Sequence, residues 1–256
     1  MDKSYKENWD FYFTQIEDSP VSVFVDLGLN RVLPVAENPF VLTMFIEMLN
    51  PLENGFCTKE ESEELFKIED RITPLLVNKS GAIFAGRMTY DGDRVLYYYL
   101  KTKDGAKKSI NAAMAEFPDY SFSVNIEDDP EWEYYTDDLY PRDYELHTIM
   151  NRHIVQNMKE HGDNGSLPRE VNHFIYFKEE AGRKNFADEA VKMGYEIASM
   201  HIVDDSKEFP LSLIIKRYEP VKYDEVNDTT SLLYDMAEDN GGRYDGWETM
   251  IVQDRN

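Results

Sequence analysis

Between Phe40 and Ile126 the spacing of apolar residues changes period four times, and that alternation is the strongest limit on what the chain folds into. Phe40 to Leu49 is a nearly continuous apolar run, the signature of a central strand. Thr58 with Glu61 three residues later forms a capping box, and Leu65, Phe66, Ile68, Ile72, Leu75 and Leu76 follow at helical spacing. Ala82–Tyr90 and Arg94–Leu100 flank Asp91-Gly92, the favoured residues of a two-residue hairpin turn. Ala106, Ile110, Ala113, Met114 and Phe117 mark a second helix, and Tyr120–Ile126 a last strand. The order is βαββαβ, a split βαβ or ferredoxin-like pattern. Two further strands precede it, Asp10–Ile16 and Val21–Leu27, joined by the turn residues Glu17-Asp18-Ser19-Pro20.

The same order returns downstream. Leu146, Met150, Ile154 and Met158 recur every four residues and predict a helix. Val171–Phe177 predicts a strand. A helix around Phe186, Ala190 and Val191, closed by Gly194, comes next. Tyr195–Val203 and Pro210–Tyr218 pair across Asp204-Asp205-Ser206-Lys207, Asp224–Asn240 is a helix on Val226, Leu233, Met236 and Ala237, and Met250–Val252 closes the set. The expected architecture is α+β: two tandem ferredoxin-like domains, residues 1–138 with extra N-terminal strands and residues 139–256. Glu127–Tyr140, dense in acids and aromatics and interrupted by Pro130, reads as the connection between them. Asp128, Asp129 and Glu131 there are weighed as cation ligands against a solvated linker whose Trp132 and Tyr135 pack on the first domain; calcium-loop spacing is missing.

Charge narrows the function. The formal net charge is −23, with 27 acidic and 13 basic residues in 1–138 and 23 and 14 in 139–256, so both halves share the excess. Such a surface repels phosphate and disfavours direct nucleic-acid binding; it suits solubility or a basic partner. Cys57 is the only cysteine, so no intramolecular disulfide forms, in keeping with a reducing compartment. No run approaches the roughly 18 apolar residues of a membrane span, and the expected location is the cytoplasm.

Reaction chemistry is not singled out. None of the five histidines, His147, His153, His161, His173 and His201, lies three or four residues from another, so the helical metal pair is missing. His173, in an aromatic strand, reads as a core or edge histidine. Cys57 has no recognisable activating base, there is no phosphate loop or nucleophile elbow, and Glu69 and Asp70 are adjacent on a helix and point to different faces. No catalytic residue, cofactor or metal ligand is assigned.

One stretch remains, Gly241-Gly242-Arg243-Tyr244-Asp245-Gly246-Trp247-Glu248, behind the last helix. Its glycines fit a helix end and a bulge. It reads either as a surface loop presenting Tyr244, Asp245 and Trp247 to a partner, or as a cap whose aromatics plug the edge of the core. With the upstream helix, the His161-Gly162-Asp163 turn, the Pro168-Arg169 entry and the aromatic strand to Phe177, this ordered combination resembles the regulator of ribonuclease activity B family over roughly Pro141–Val252. The run Asp129-Pro130-Glu131-Trp132 and the front half resemble a bacterial domain of unknown function found fused ahead of such regulators.

The resemblance implies a non-catalytic protein that binds ribonuclease E, or a related endoribonuclease, and restrains RNA processing. Local chemistry marks Arg169, Tyr244, Asp245 and Trp247 as partner-binding candidates. The alternatives are a small-ligand protein or enzyme with its site at an interdomain cleft, and a scaffold that self-associates through a sheet face or edge.

Overall fold

The computed structural model describes residues 5–203 and 208–253. The chain divides into two compact units between Arg142 and Asp143. The first carries β1 (Trp9–Ile16), β2 (Ser19–Asp26), β3 (Phe40–Glu47), α1 (Lys59–Ser80), β4 (Ile83–Tyr90), β5 (Asp93–Leu100), α2 (Ala106–Met114) and β6 (Phe122–Asp128). The sheet order is β1-β2-β4-β5-β3-β6, with every pairing antiparallel. Its last four strands read 2-3-1-4 within the βαββαβ repeat, which is the ferredoxin-like order. The β1–β2 hairpin extends that sheet beyond β4.

Alternation sorts the two faces. Leu42, Met44, Ile46, Leu96 and Tyr98 point to the helices, where Leu65, Ile68, Ile72 and Leu76 of α1 and Ile110 of α2 meet them in one core. Each such side chain contributes about 1.5–3 kcal/mol by leaving water. The expected capping box is half formed. Thr58 Oγ1 accepts from the Glu61 amide at 3.2 Å. The Glu61 carboxylate instead accepts from the amides of Leu49 and Asn50, the latter at 3.0 Å, and ties the end of β3 to the start of α1. Asp91 and Gly92 both have positive φ, 48° and 85°, as a type I′ turn requires.

The acidic, aromatic stretch after β6 packs across the other face of this sheet. Asp129, 4% exposed, accepts from the amides of Glu133 (2.8 Å) and Tyr134 (3.1 Å) and from the Tyr99 hydroxyl (2.7 Å). It is a backbone cap, which accounts for its carboxylate without any cation. Trp132 stacks on Tyr99 with centroids 3.6 Å apart and planes 2° from parallel. A π-helical turn, Tyr134–Leu139, then buries Tyr135 and Leu139. Tyr135 donates to the Asp26 carbonyl at 2.8 Å, and Tyr12 donates to the Leu139 carbonyl at 3.0 Å.

The second unit carries α3 (Asp143–Glu160), β7 (Arg169–Phe177), α4 (Glu180–Lys192), β8 (Glu196–Ile202), β9 (Leu211–Glu219), α5 (Tyr223–Asp239) and β10 (Gly242–Thr249). The sheet order β10-β7-β9-β8 is the ferredoxin-like order again, with α3 packed against α5. The turn expected at residues 204–207 lies outside the described residues.

Three expectations are corrected. The last strand is Gly242–Thr249, not Met250–Val252, so the glycine-rich stretch is itself the strand and not a surface loop. The buried side of α3 is Ile149, Asn151, Val155 and Met158, while Met150 is 49% exposed. A polar residue, Asn151, belongs to the core, and counting apolar residues alone therefore rotates the predicted stripe. In α4, Phe186, Ala187 and Ala190 are buried and Val191 faces out.

Replacing Trp132 with alanine removes the stacked partner of Tyr99 and is expected to cost about 3–5 kcal/mol. Replacing the exposed neighbour Glu131 with alanine is expected to change stability by no more than about 0.5 kcal/mol. Denaturant titration of both variants checks the pair.

Candidate functional site

β10 is an edge strand of the second sheet. Tyr244 pairs with Ile175 and Trp247 with His173, yet Gly246 pairs with Phe174, so Asp245 is an extra residue in a bulge. Gly246 sits at φ 130°, a conformation that suits glycine. In a regular strand, residues three apart point to opposite faces. The bulge turns both Tyr244 and Trp247 to the helix-covered face.

Both rings then carry polar contacts inside the core. The Tyr244 hydroxyl lies 2.8 Å from His173 Nδ1, and His173 Nε2 lies 3.4 Å from Glu219 Oε1. The neutral tautomer that satisfies both has Tyr244 donating to Nδ1 and Nε2–H donating to Glu219. Arg217 holds the same carboxylate. Burial lowers the His173 pKa, more than the neighbouring Glu219 raises it, and burial raises the Tyr244 hydroxyl well above its usual value. The Trp247 indole donates to Asn151 Oδ1 at 2.7 Å, and the Asn151 amide donates to Asn227 Oδ1 and Thr230 Oγ1, both at 2.8 Å. One asparagine thus joins α3, α5 and β10.

Arg169 is 3% exposed and forms a charge-assisted pair with Asp163, which is 1% exposed. Asp163 also accepts from the Gly165 amide (2.9 Å) and the Val252 amide (2.8 Å). Burial on its own would raise the Asp163 carboxyl, but Arg169 and these amides outweigh it and hold the pKa below the usual value. The pair fastens the loop before β7 to the segment after β10.

Of the four residues marked from sequence, Tyr244 and Trp247 therefore share one buried face, Arg169 is buried in a separate ion pair, and Asp245 is exposed on the bulge. Asp245 pairs with Arg243 at 3.4 Å and borders a hollow of about 160 Å³ with His147, Met150 and Phe174. Sequence reading did not join Asp163 to Arg169 or Asn151 to Trp247. The only signal for the first was opposite charge across the Gly165–Pro168 turn. For the second, an asparagine at a helical core position was the clue.

Among the described residues no group of three or more His, Cys, Asp or Glu is placed to hold a metal ion. No described helix is long and apolar enough to cross a membrane. What the second unit offers chemically is an acid-rich surface on a frame fastened by buried hydrogen bonds and an ion pair.

The buried groups set two pH windows. The folded-state pKa of His173 is depressed, so the unfolded chain takes up a proton near pH 6.5 that the native state refuses. Stability is expected to be full above about 6.5 and to fall as pH drops toward the folded value. Asp163 is also depressed, and its contribution is present above the ordinary carboxylate pKa and lost as pH falls below about 4. Asp163→Asn is expected to cost about 3–5 kcal/mol at neutral pH, with the difference from the parent shrinking in acid. Unfolding free energies measured from pH 3 to 8 check both windows; a flat profile between 7 and 5 contradicts the first.

Residues 7–140 match the model of a family of unknown function, DUF695, and residues 148–249 match the model of Regulator of ribonuclease activity B. No curated protein matches the chain. Among solved structures, an unknown protein from Galdieria sulphuraria aligns at 12% identity over 81% of this chain and 96% of its own, with a TM-score of 0.22. A proposed glycine cleavage system transcriptional repressor aligns at 7% identity over 82% of this chain and 98% of its own, with a TM-score of 0.23. Overlaps this low carry no argument. With its first unit covered by the one model and most of its second by the other, the chain belongs to the DUF695 family and bears behind that domain a unit of the regulator of ribonuclease activity B family.

Proposed function

We propose that the protein is a non-catalytic, acidic regulator that acts in the cytoplasm by binding an endoribonuclease of the ribonuclease E type through a basic segment of that enzyme. The match of residues 148–249 to ribonuclease regulators carries this reading. The geometry supports the charge complementarity. Asp224, Glu225, Asp228, Asp235, Glu238 and Asp239 of α5 are all exposed, and no lysine or arginine lies in that helix. α5 packs on β10, whose Asp245 and Glu248 are also exposed. Charges left at a surface steer association and select a partner of opposite sign. On this reading Asp245 meets the partner, while Arg169, Tyr244 and Trp247 act indirectly by fixing β10 and its neighbours.

Affinity capture with the full-length tagged chain in a native lysate, read by mass spectrometry, tests it. A ribonuclease or a component of RNA turnover is expected at low salt and is expected to be lost at high salt, where exposed charges are screened. The triple variant Asp228→Asn, Asp235→Asn, Asp239→Asn is expected to weaken capture about ten-fold without changing the fold. Recovery of no such component at low salt contradicts the reading.

A further inference from the structure

The first unit contains a cavity that the fold itself creates. α1 and α2 roof the ferredoxin-like strands, but the added β1–β2 hairpin carries the sheet past α1. Two cross-strand rows lie on that ledge: Phe13–Ser22–Thr89–Arg94 and Phe11–Phe24–Arg87. Phe56, Cys57, Ser62 and Phe66, from α1 and the segment before it, form the opposite wall. The half-open hollow has a volume of about 400 Å³, within the range of small-molecule sites.

Its charges do not balance. Arg87 donates to Glu69 Oε1 at 2.8 Å and lies over the rings of Phe24 (4.1 Å) and Phe66 (4.8 Å). Arg94 is 4% exposed, and its Nε and Nη1 are buried without a hydrogen-bond partner; Nη2 makes a long contact with Cys57 Sγ at 4.0 Å. The second oxygen of Glu69 is likewise buried without a partner. Two guanidinium groups face one carboxylate, which leaves one positive charge in a chain whose net charge is −23. Burying an ion without full compensation is costly, and an apolar residue of similar size is often the more stable choice. Sequences break such local rules where function demands it.

We propose that this cavity binds a small organic monocarboxylate, its carboxylate partnering Arg94 and its apolar body lying among Phe24, Phe56 and Phe66. One negative charge completes the balance of the two arginines and Glu69, and a carboxylate oxygen suits a charge-assisted hydrogen bond from Arg94. Binding requires the Arg94 side chain, which lines the cavity, to turn an unpartnered nitrogen toward the ligand. Phosphate has no apolar body to cover the rings of Phe24, Phe56 and Phe66, and a neutral ligand would leave the Arg94 charge as it stands. The site is separate from the ribonuclease reading, and failure of one leaves the other standing.

Titration calorimetry on the full chain with 3-phenylpropionate, benzoate and hexanoate tests the proposal, with 3-phenylpropan-1-ol and inorganic phosphate as controls. At least one carboxylate is expected to bind saturably, and the alcohol and phosphate at least ten-fold more weakly. Arg94→Met is expected to lose at least ten-fold in affinity while unfolding at the same or a higher temperature. Independently of any variant, the bound carboxylate is expected to slow N-ethylmaleimide labelling of Cys57, the only thiol in the chain. The proposal is overturned if none of the three carboxylates binds or protects Cys57. It is also overturned if the alcohol binds as tightly as the acid, or if Arg94→Met keeps the parent affinity.

Discussion

One extra residue in an edge strand decides how the second unit is held together. Because Asp245 is bulged out, Tyr244 and Trp247 face the same way despite being three residues apart. Their polar tips then reach His173 on β7 and Asn151 on α3. The bulge also disrupts the regular ladder of an exposed edge, a common protection against unwanted strand pairing. With Asp245 present, aromatic packing and polar satisfaction thus rely on the bulge that takes this one residue out of register. The function proposed for this unit depends on the same frame, since it asks β10 and α5 to present their acids in a fixed arrangement.

The fifty acidic residues fall into two groups with different physics. A few are taken up by the fold. Glu61 fastens β3 to α1, Asp129 caps the π-helical turn, Asp163 holds Arg169, and Glu219 stands between His173 and Arg217. These are satisfied by amides or cations and define geometry. The others, such as those along α5, stay in water, where pairwise contacts are worth little and the collective field is what counts. A net charge alone does not distinguish the two groups; only their partners do.

Much of the architecture is legible in the sequence because periodicity and turn chemistry agree. Asp91-Gly92 sets a hairpin, Thr58 starts α1, and the strand–helix alternation gives the same topology twice. The failures share a cause. Asn151 interrupts an apolar stripe, so α3 was rotated. Gly246 and Asp245 break strand alternation, so the strand reads as a loop or a helix cap, and its aromatics as partner contacts or as plugs at the edge of the core, where the structure places Tyr244 and Trp247. Asp129 looked like part of a solvated acidic run because its partners are backbone amides of its own turn, which carry no sequence signal. In each case a buried polar contact outweighed the simple rule that apolar residues go inside. The aromatic cavity with its uncompensated Arg94 was hidden for a related reason, since it arises where β1 and β2 are joined to a fold that is complete without them.

The central structural claim is that Asp245 is the surplus residue that lets Tyr244 and Trp247 share one buried face. Deleting Asp245 and recording tryptophan emission and the unfolding midpoint of the full chain tests it most directly. With the surplus removed, Tyr244 stays opposite Ile175 and Trp247 opposite His173, so emission and midpoint close to the parent's are predicted. A red-shifted emission with a large fall in the midpoint would show Trp247 driven into solvent, and would contradict the claim.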